Sequence, residues 1–109
     1  MKYIKKFESS HSDVEALDLK GFKLVERKNK PVNFSGSELK TIEKIKDAVK
    51  SFSNIEVSGN TIKISPKQHG QYAEITKYPK FFTKKSGEKD RFTKHDVYHT
   101  TDIMKVLND

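Results

Sequence analysis

The chain has 109 residues, with 22 Lys and Arg against 15 Asp and Glu, and a net charge of +7. Seven Phe and four Tyr supply a small core for one domain over residues 1–109, whereas the lack of cysteine excludes a disulfide framework, a thiolate metal site and a cysteine nucleophile. No apolar run approaches the roughly 18 residues that span a bilayer, and no signal-peptide pattern opens the chain, so we expect a cytoplasmic protein without a membrane partner.

The first third of the sequence predicts three short elements. Residues 2–7 are typical of a strand, and the spacing of Val14 and Leu17 favours a helical turn over 13–20 that ends before Gly21. Residues 22–28 then have the composition of a second strand.

The most strongly specified element is a helix over 36–52. Ser35 and Glu38 have the spacing of a capping box, and Phe34 and Leu39 that of a hydrophobic staple around it. An apolar stripe recurs at steps of three and four residues, which predicts a helix packed on one side. Its members are Leu39, Ile42, Ile45, Ala48, Val49 and Phe52.

Two antiparallel strands are expected next, joined by a Gly59-Asn60 turn. In this register Val57 faces Ile62 on one side of the hairpin, and Glu56 faces Lys63 on the other. Residues 71–78 predict a third strand, with Ala73 and Ile75 inward and Tyr72 and Tyr78 outward.

The last third predicts a fourth strand with a mobile basic loop over 84–90. Thr93 has the sequence context of an N-cap, which favours a helix over 94–107, and Thr100-Thr101 leaves open a later start at Thr100. The expected fold is α+β, an antiparallel sheet of four to five strands with one long packed helix and a C-terminal helix.

The positive charge is concentrated in residues 20–30 and 77–94. Lysines interleaved with aromatic rings are typical of proteins that bind RNA or DNA through phosphate contacts and base stacking. We therefore expect non-enzymatic nucleic-acid binding, with Tyr72 and Tyr78 stacking on bases. The expected phosphate contacts are Lys77, Lys80, Lys84, Lys85, Lys89, Arg91 and Lys94, with Lys23, Arg27 and Lys28 from the other segment.

The sequence is open to three other interpretations. A protein-interaction module, such as an inhibitor or adaptor, would dock the basic patch on an acidic protein surface.

On a continuous helix His95, His99 and Asp102 would share one face, which makes them candidate metal ligands. A small ribonuclease would use His95 or His99 as general base beside Lys94 and Arg91. The five glycines are isolated, so no phosphate-cradling loop and no cofactor is expected.

The opening residues Met1 to Glu8 read MKYIKKFE. They resemble the start of many small proteins of T4-like tailed phages, which begin Met-Lys and continue, after two or three residues, with Phe and an acidic residue. The resemblance implies a small accessory protein that acts, in the cytoplasm of a bacterial host, on nucleic acid or on a host protein.

Overall fold

Five consecutive strands form an antiparallel meander, and a short sixth strand joins it at one edge. The computed structural model describes residues 14–108, and the predicted strand over 2–7 and the phage-like opening segment lie outside them. The strands are β1 Val14–Ala16, β2 Ser53–Ser58, β3 Thr61–Pro66, β4 Tyr72–Lys77, β5 Phe82–Glu88 and β6 Arg91–Tyr98. The strand order is β1-β6-β5-β4-β3-β2, and every neighbouring pair is antiparallel. The helices are α1 Leu19–Lys28, α2 Gly36–Val49 and α3 Ile103–Leu107.

The predicted α+β class is confirmed, but the number of elements differs. The described residues form six strands and three helices, where four to five strands and two helices were expected. None of the helices in the described part of the chain has the length and apolar character needed to cross a membrane.

Helices cover both faces of the sheet. On the face that we call the core face, Ile62, Ile75 and Phe82 pack with Ile42 of α2 and with Ile103 of α3. The rest of this buried cluster is Phe34, Ile55, Tyr98 and Val106. The opposite face, which we call the α1 face, carries His95, and the ring of Phe22 from α1 packs against it at a centroid distance of 5.1 Å.

Helix α2 begins as predicted. The backbone N–H of Glu38 donates to Ser35 Oγ at 3.2 Å, and the backbone N–H of Ser35 donates to Glu38 Oε1 at 2.8 Å, which completes the capping box. The predicted apolar stripe is only partly covered, because Ile42 is buried whereas Leu39 and Phe52 remain 40% and 60% exposed. The helix ends at Val49, three residues before the predicted end.

The β2–β3 hairpin has the predicted register at every position, including Val57 opposite Ile62 and Glu56 opposite Lys63. In β4, Ala73 and Ile75 are buried as predicted. Tyr78 was expected to face solvent, but it is buried, with its ring stacked on Phe81 at 4.8 Å.

The prediction for residues 13–28 is wrong, because the order of strand and helix is reversed. Val14–Ala16 is the strand, and Leu19–Lys28 is a helix that continues through Gly21. Asp18 caps this helix by accepting from the N–H of Gly21 at 2.7 Å. Phe22, Val25 and Asn29 recur at steps of three and four, so a helix turns all three toward the sheet whereas a strand would divide them between two faces.

The predicted loop over 84–90 and helix over 94–107 are also wrong. Strand β5 runs through Lys84 and Lys85 to Glu88, and β6 occupies 91–98. Gly87 has φ +152, and a Cβ there would lie 2.6 Å from the carbonyl oxygen of Arg91, so the irregular pairing beside it requires glycine.

The C-terminal helix begins close to the alternative start. Asp102 caps α3 by accepting from the N–H of Met104 at 3.0 Å, two residues after Thr100. Residues 95–98 are all buried because β6 is covered on both faces. A strand of this kind shows no alternation of polar and apolar residues, which is why the sequence does not reveal it.

Candidate nucleic-acid interface

The outward side of α1 and the residues just after it carry an unbroken set of positive charges. We call this set the basic surface, and all five side chains are exposed. Its members are Lys20, Lys23, Arg27, Lys28 and Lys30. Leu24, 47% exposed, lies among them, and Leu19 at the start of the same helix is 50% exposed.

The opposite side of α1 fixes this orientation. Phe22 is 1% exposed, and Val25 and Asn29 are half-buried. The side-chain amide of Asn29 donates to the carbonyl oxygen of Val25 at 2.9 Å. Because these residues lie at steps of three and four, the positions on the opposite side of the helix turn toward solvent together.

The only acidic residue of α1 is turned away from the basic surface. Glu26 is half-buried, and its Oε2 lies 3.9 Å from Lys85 Nζ on β5. The same ammonium lies 3.6 Å from Glu74 Oε1 on β4, so two carboxylates share one lysine. The charges of Glu26 and Lys85 are therefore compensated at the sheet, whereas no carboxylate within residues 14–108 forms an ion pair with the basic surface.

Lys85 also belongs to a row of alternating charges across the α1 face. The cross-strand pairs are Glu56 with Lys63, Lys63 with Glu74 and Glu74 with Lys85. Opposite charges on directly paired residues stabilise a sheet. This row carries no excess positive charge, although its lysine on β5 was a predicted phosphate contact.

The remaining cations of segment 77–94 are dispersed by the fold. Lys77 forms an ion pair with Glu38, and the two side chains are only 19% and 13% exposed. Lys84 lies on the core face, with Nζ 5.9 Å from the Tyr98 ring centroid. At the β5–β6 turn, Lys89 and Arg91 alternate with exposed Glu88 and Asp90.

Two further lysines of this segment are exposed, at separate places. Lys80 lies in the turn between β4 and β5, and Lys94 lies on β6 opposite Ser86 of the core face. Lys94 thus lies on the face of the sheet opposite α1. Segment 77–94 thus supplies isolated cations where the sequence suggested a continuous patch.

The two tyrosines predicted to stack on bases have different surroundings. Tyr78 is 4% exposed and already stacked on Phe81. Burial, together with the charge of Glu26, raises the pKa of Tyr78 above its ordinary value. Tyr72 is half-buried on the α1 face, in one cross-strand row with Gly87 and Phe92.

The Glu38–Lys77 pair lies in a polar cleft between the first turns of α2 and α3. Burial alone would raise the pKa of Glu38, but hydrogen bonds from Lys77 and from the backbone N–H of Ser35 hold it below its ordinary value. The carboxylate thus compensates the charge of Lys77 and caps α2 at once.

The candidate metal ligands do not form a cluster. His95 is buried against Phe22, whereas His99 is exposed with Nε2 3.3 Å from Glu15 Oε1, and Asp102 caps α3. His95 and His99 are four residues apart on an extended chain, which separates them by about 13 Å. Within residues 14–108, no three His, Asp or Glu side chains are arranged to hold a metal ion.

Lys20 and Lys30 belong to the basic surface but were not among the predicted contact residues. The helical spacing of Phe22, Val25 and Asn29 places Lys20 on the outward side, whereas Lys30 lies beyond the C-cap Asn29 and is not placed by this pattern. Comparison with protein-family models, with curated proteins and with solved structures finds no match. The physical properties of the surface are therefore the basis for a function.

Proposed function

We propose that the protein binds nucleic acid without catalysis, through phosphate contacts made by the basic surface of α1. The observation that carries the proposal is five exposed cations within residues 20–30, with the one acid of this helix turned to the sheet. Duplex DNA carries about one negative charge per 1.7 Å of its axis. Five exposed cations close together on one side of a helix can therefore contact several phosphates along one stretch of such a backbone.

The composition of the surface favours low sequence specificity. Four of the five cations are lysines, which contact phosphates as point charges, and Arg27 is the single guanidinium that can grip a guanine edge with two hydrogen bonds. The two tyrosines that were expected to stack on bases lie buried or half-buried on the sheet. We therefore expect both single-stranded and duplex nucleic acids to bind, in each case through the charge of their phosphates and without preference for a base sequence.

Salt dependence tests the proposal. Random single-stranded and duplex oligonucleotides are titrated with the protein at about 50 and 200 mM salt, and binding is followed by fluorescence anisotropy. Five phosphate contacts on a duplex predict that affinity falls about 500-fold between the two salt concentrations. A single strand, with its weaker counterion condensation, predicts a loss of about 130-fold.

The alternative partner is an acidic protein surface, which would use the same cations. Undetectable binding to both oligonucleotides at about 50 mM salt would contradict nucleic-acid binding and favour the protein partner. Binding that changes less than about fivefold between the two salt concentrations would contradict contact through five phosphates.

A further inference from the structure

Strand β2 forms an outer edge of the sheet, and its free side has no backbone partner within the described residues. Natural edge strands are usually protected by lysine, proline, a bulge or short length. Residues 53–58 contain no lysine or proline, Glu56 is their single charged residue, and the pairing with β3 is regular over all six residues. The opposite edge, β1, comprises three residues within the described part of the chain.

The turn before β3 determines which groups of β2 face outward. Gly59 has φ +60, and no other residue of the turn has positive φ, as in the two-residue turn that makes Ser58 and Thr61 a hydrogen-bonded pair. Such pairs alternate along an antiparallel ladder, and the N–H of Lys67 donating to the carbonyl of Phe52 at 3.0 Å keeps the same alternation. The backbone groups of Ser53, Ile55 and Val57 therefore point away from β3.

These outward groups match those of a second copy turned by a two-fold axis. With the axis at Ile55, this residue pairs with the partner's Ile55, and Ser53 pairs with the partner's Val57. Asn54 then faces the partner's Glu56 on the α1 face, so no like charges meet. A two-fold axis at Glu56 would instead bring two Glu56 carboxylates together, which is unfavourable.

A second observation concerns Phe52, which directly precedes β2. It is 60% exposed, the highest value among the large exposed hydrophobic residues of the described chain. In the register centred on Ile55, Phe52 comes opposite the partner's Ser58. Pairing of the two edges thus removes part of this ring from water.

We propose that β2 is a self-association surface, which pairs with β2 of a second copy in the register centred on Ile55. The two sheets then form one continuous twelve-stranded sheet with both basic surfaces on the same side. This proposal goes beyond nucleic-acid binding and does not depend on it. A single strand pair buries less surface than the roughly 1,200 Å² of a standard interface, so we expect a dissociation constant in the micromolar range.

Sedimentation of the full chain from about 5 to 500 µM, without nucleic acid, measures the association. Asn54 is exposed in the single chain, so substitutions there leave the fold intact. Asn54→Lys places a lysine opposite the partner's Glu56 and is expected to tighten the dimer about twofold to thirtyfold, whereas Asn54→Glu weakens it by a similar factor. The double variant Asn54→Glu with Glu56→Lys restores association.

Gln68→Glu, in the exposed loop between β3 and β4, makes the same charge change as Asn54→Glu away from the edge and is expected to leave the dimer unchanged. A protein that stays monomeric at about 500 µM overturns the proposal. The same holds if Asn54→Lys and Asn54→Glu shift the dissociation constant in the same direction, or if the double variant fails to restore association.

Discussion

Helix α1 and the β5–β6 region are both strongly basic in sequence, and the fold treats them in opposite ways. In α1 the outward cations stay together and Glu26 is turned to the sheet. In segment 77–94, Lys77 and Lys85 are held by carboxylates, and Lys84 lies on the core face. The number of cations in a segment is therefore a poor guide to the charge that it presents.

The geometry of the two kinds of element explains the difference. A helix packed along one side turns its other residues into one solvent-facing group, so cations three or four residues apart reinforce each other. A strand sends successive residues to opposite faces, so Lys84 and Lys85 separate although they are adjacent in sequence. A basic run becomes a basic surface on a helix and is divided on a strand.

The largest expected effect comes from detaching α1. Phe22→Ala removes the buried ring that packs against His95 and is expected to lower the free energy of unfolding by about 3–5 kcal/mol. Urea unfolding measures the change. Leu24→Ala, on the outward side of the same helix, is the matched control and should cost less than about 1 kcal/mol. Equal costs would contradict the assigned orientation of α1.

A smaller effect is expected from the compensated cation Lys77. Lys77→Met leaves the carboxylate of Glu38 without its partner and should cost about 1–3 kcal/mol of stability. Lys80→Met removes an exposed lysine three residues away and should change stability by less than about 0.5 kcal/mol. If Lys77→Met weakens nucleic-acid binding but leaves the free energy of unfolding unchanged, Lys77 is a binding residue and not a structural one.

The smallest effect is the pH dependence of the same ion pair. Because the folded-state pKa of Glu38 is lowered, its contribution to stability is fully present above the ordinary pKa and is lost as pH falls through the folded-state value. The melting temperature of the wild type should therefore exceed that of Glu38→Gln at pH 7, and the difference should shrink between pH 5 and pH 3. A difference that grows on acidification would contradict the ion pair.

The predictions that are confirmed concern elements specified by residues close together in the chain. The capping box of α2 and the β2–β3 register depend on residues close in the chain, and both are confirmed. The prediction for the β5–β6 region was wrong because β6 is buried on both faces. Its pattern of polar and apolar residues therefore reflects packing against α1 and the core cluster, which cannot be read from neighbouring residues in the chain. Helix α1 was recoverable from the spacing of Phe22, Val25 and Asn29.

The candidate site was only partly predictable for the same reason. Lys23, Arg27 and Lys28 were identified from composition, and all three lie on the basic surface. The loss of Lys85 as a free cation depends on Glu26 and Glu74, which lie far from it in the chain and reach it only through the fold. Charge compensation of this kind requires tertiary structure.

We expect nucleic acid to contact the basic surface of α1 and not the β5–β6 hairpin. Two triple variants with the same change in net charge test it, Lys23→Glu/Arg27→Glu/Lys28→Glu and Lys89→Glu/Arg91→Glu/Lys94→Glu. For duplex binding, log affinity falls linearly with log salt concentration. The α1 variant should reduce the magnitude of this negative slope by about three, and the hairpin variant should leave the slope nearly unchanged. An equal reduction of the slope magnitude in both variants, or a larger reduction in the hairpin variant, would contradict this expectation.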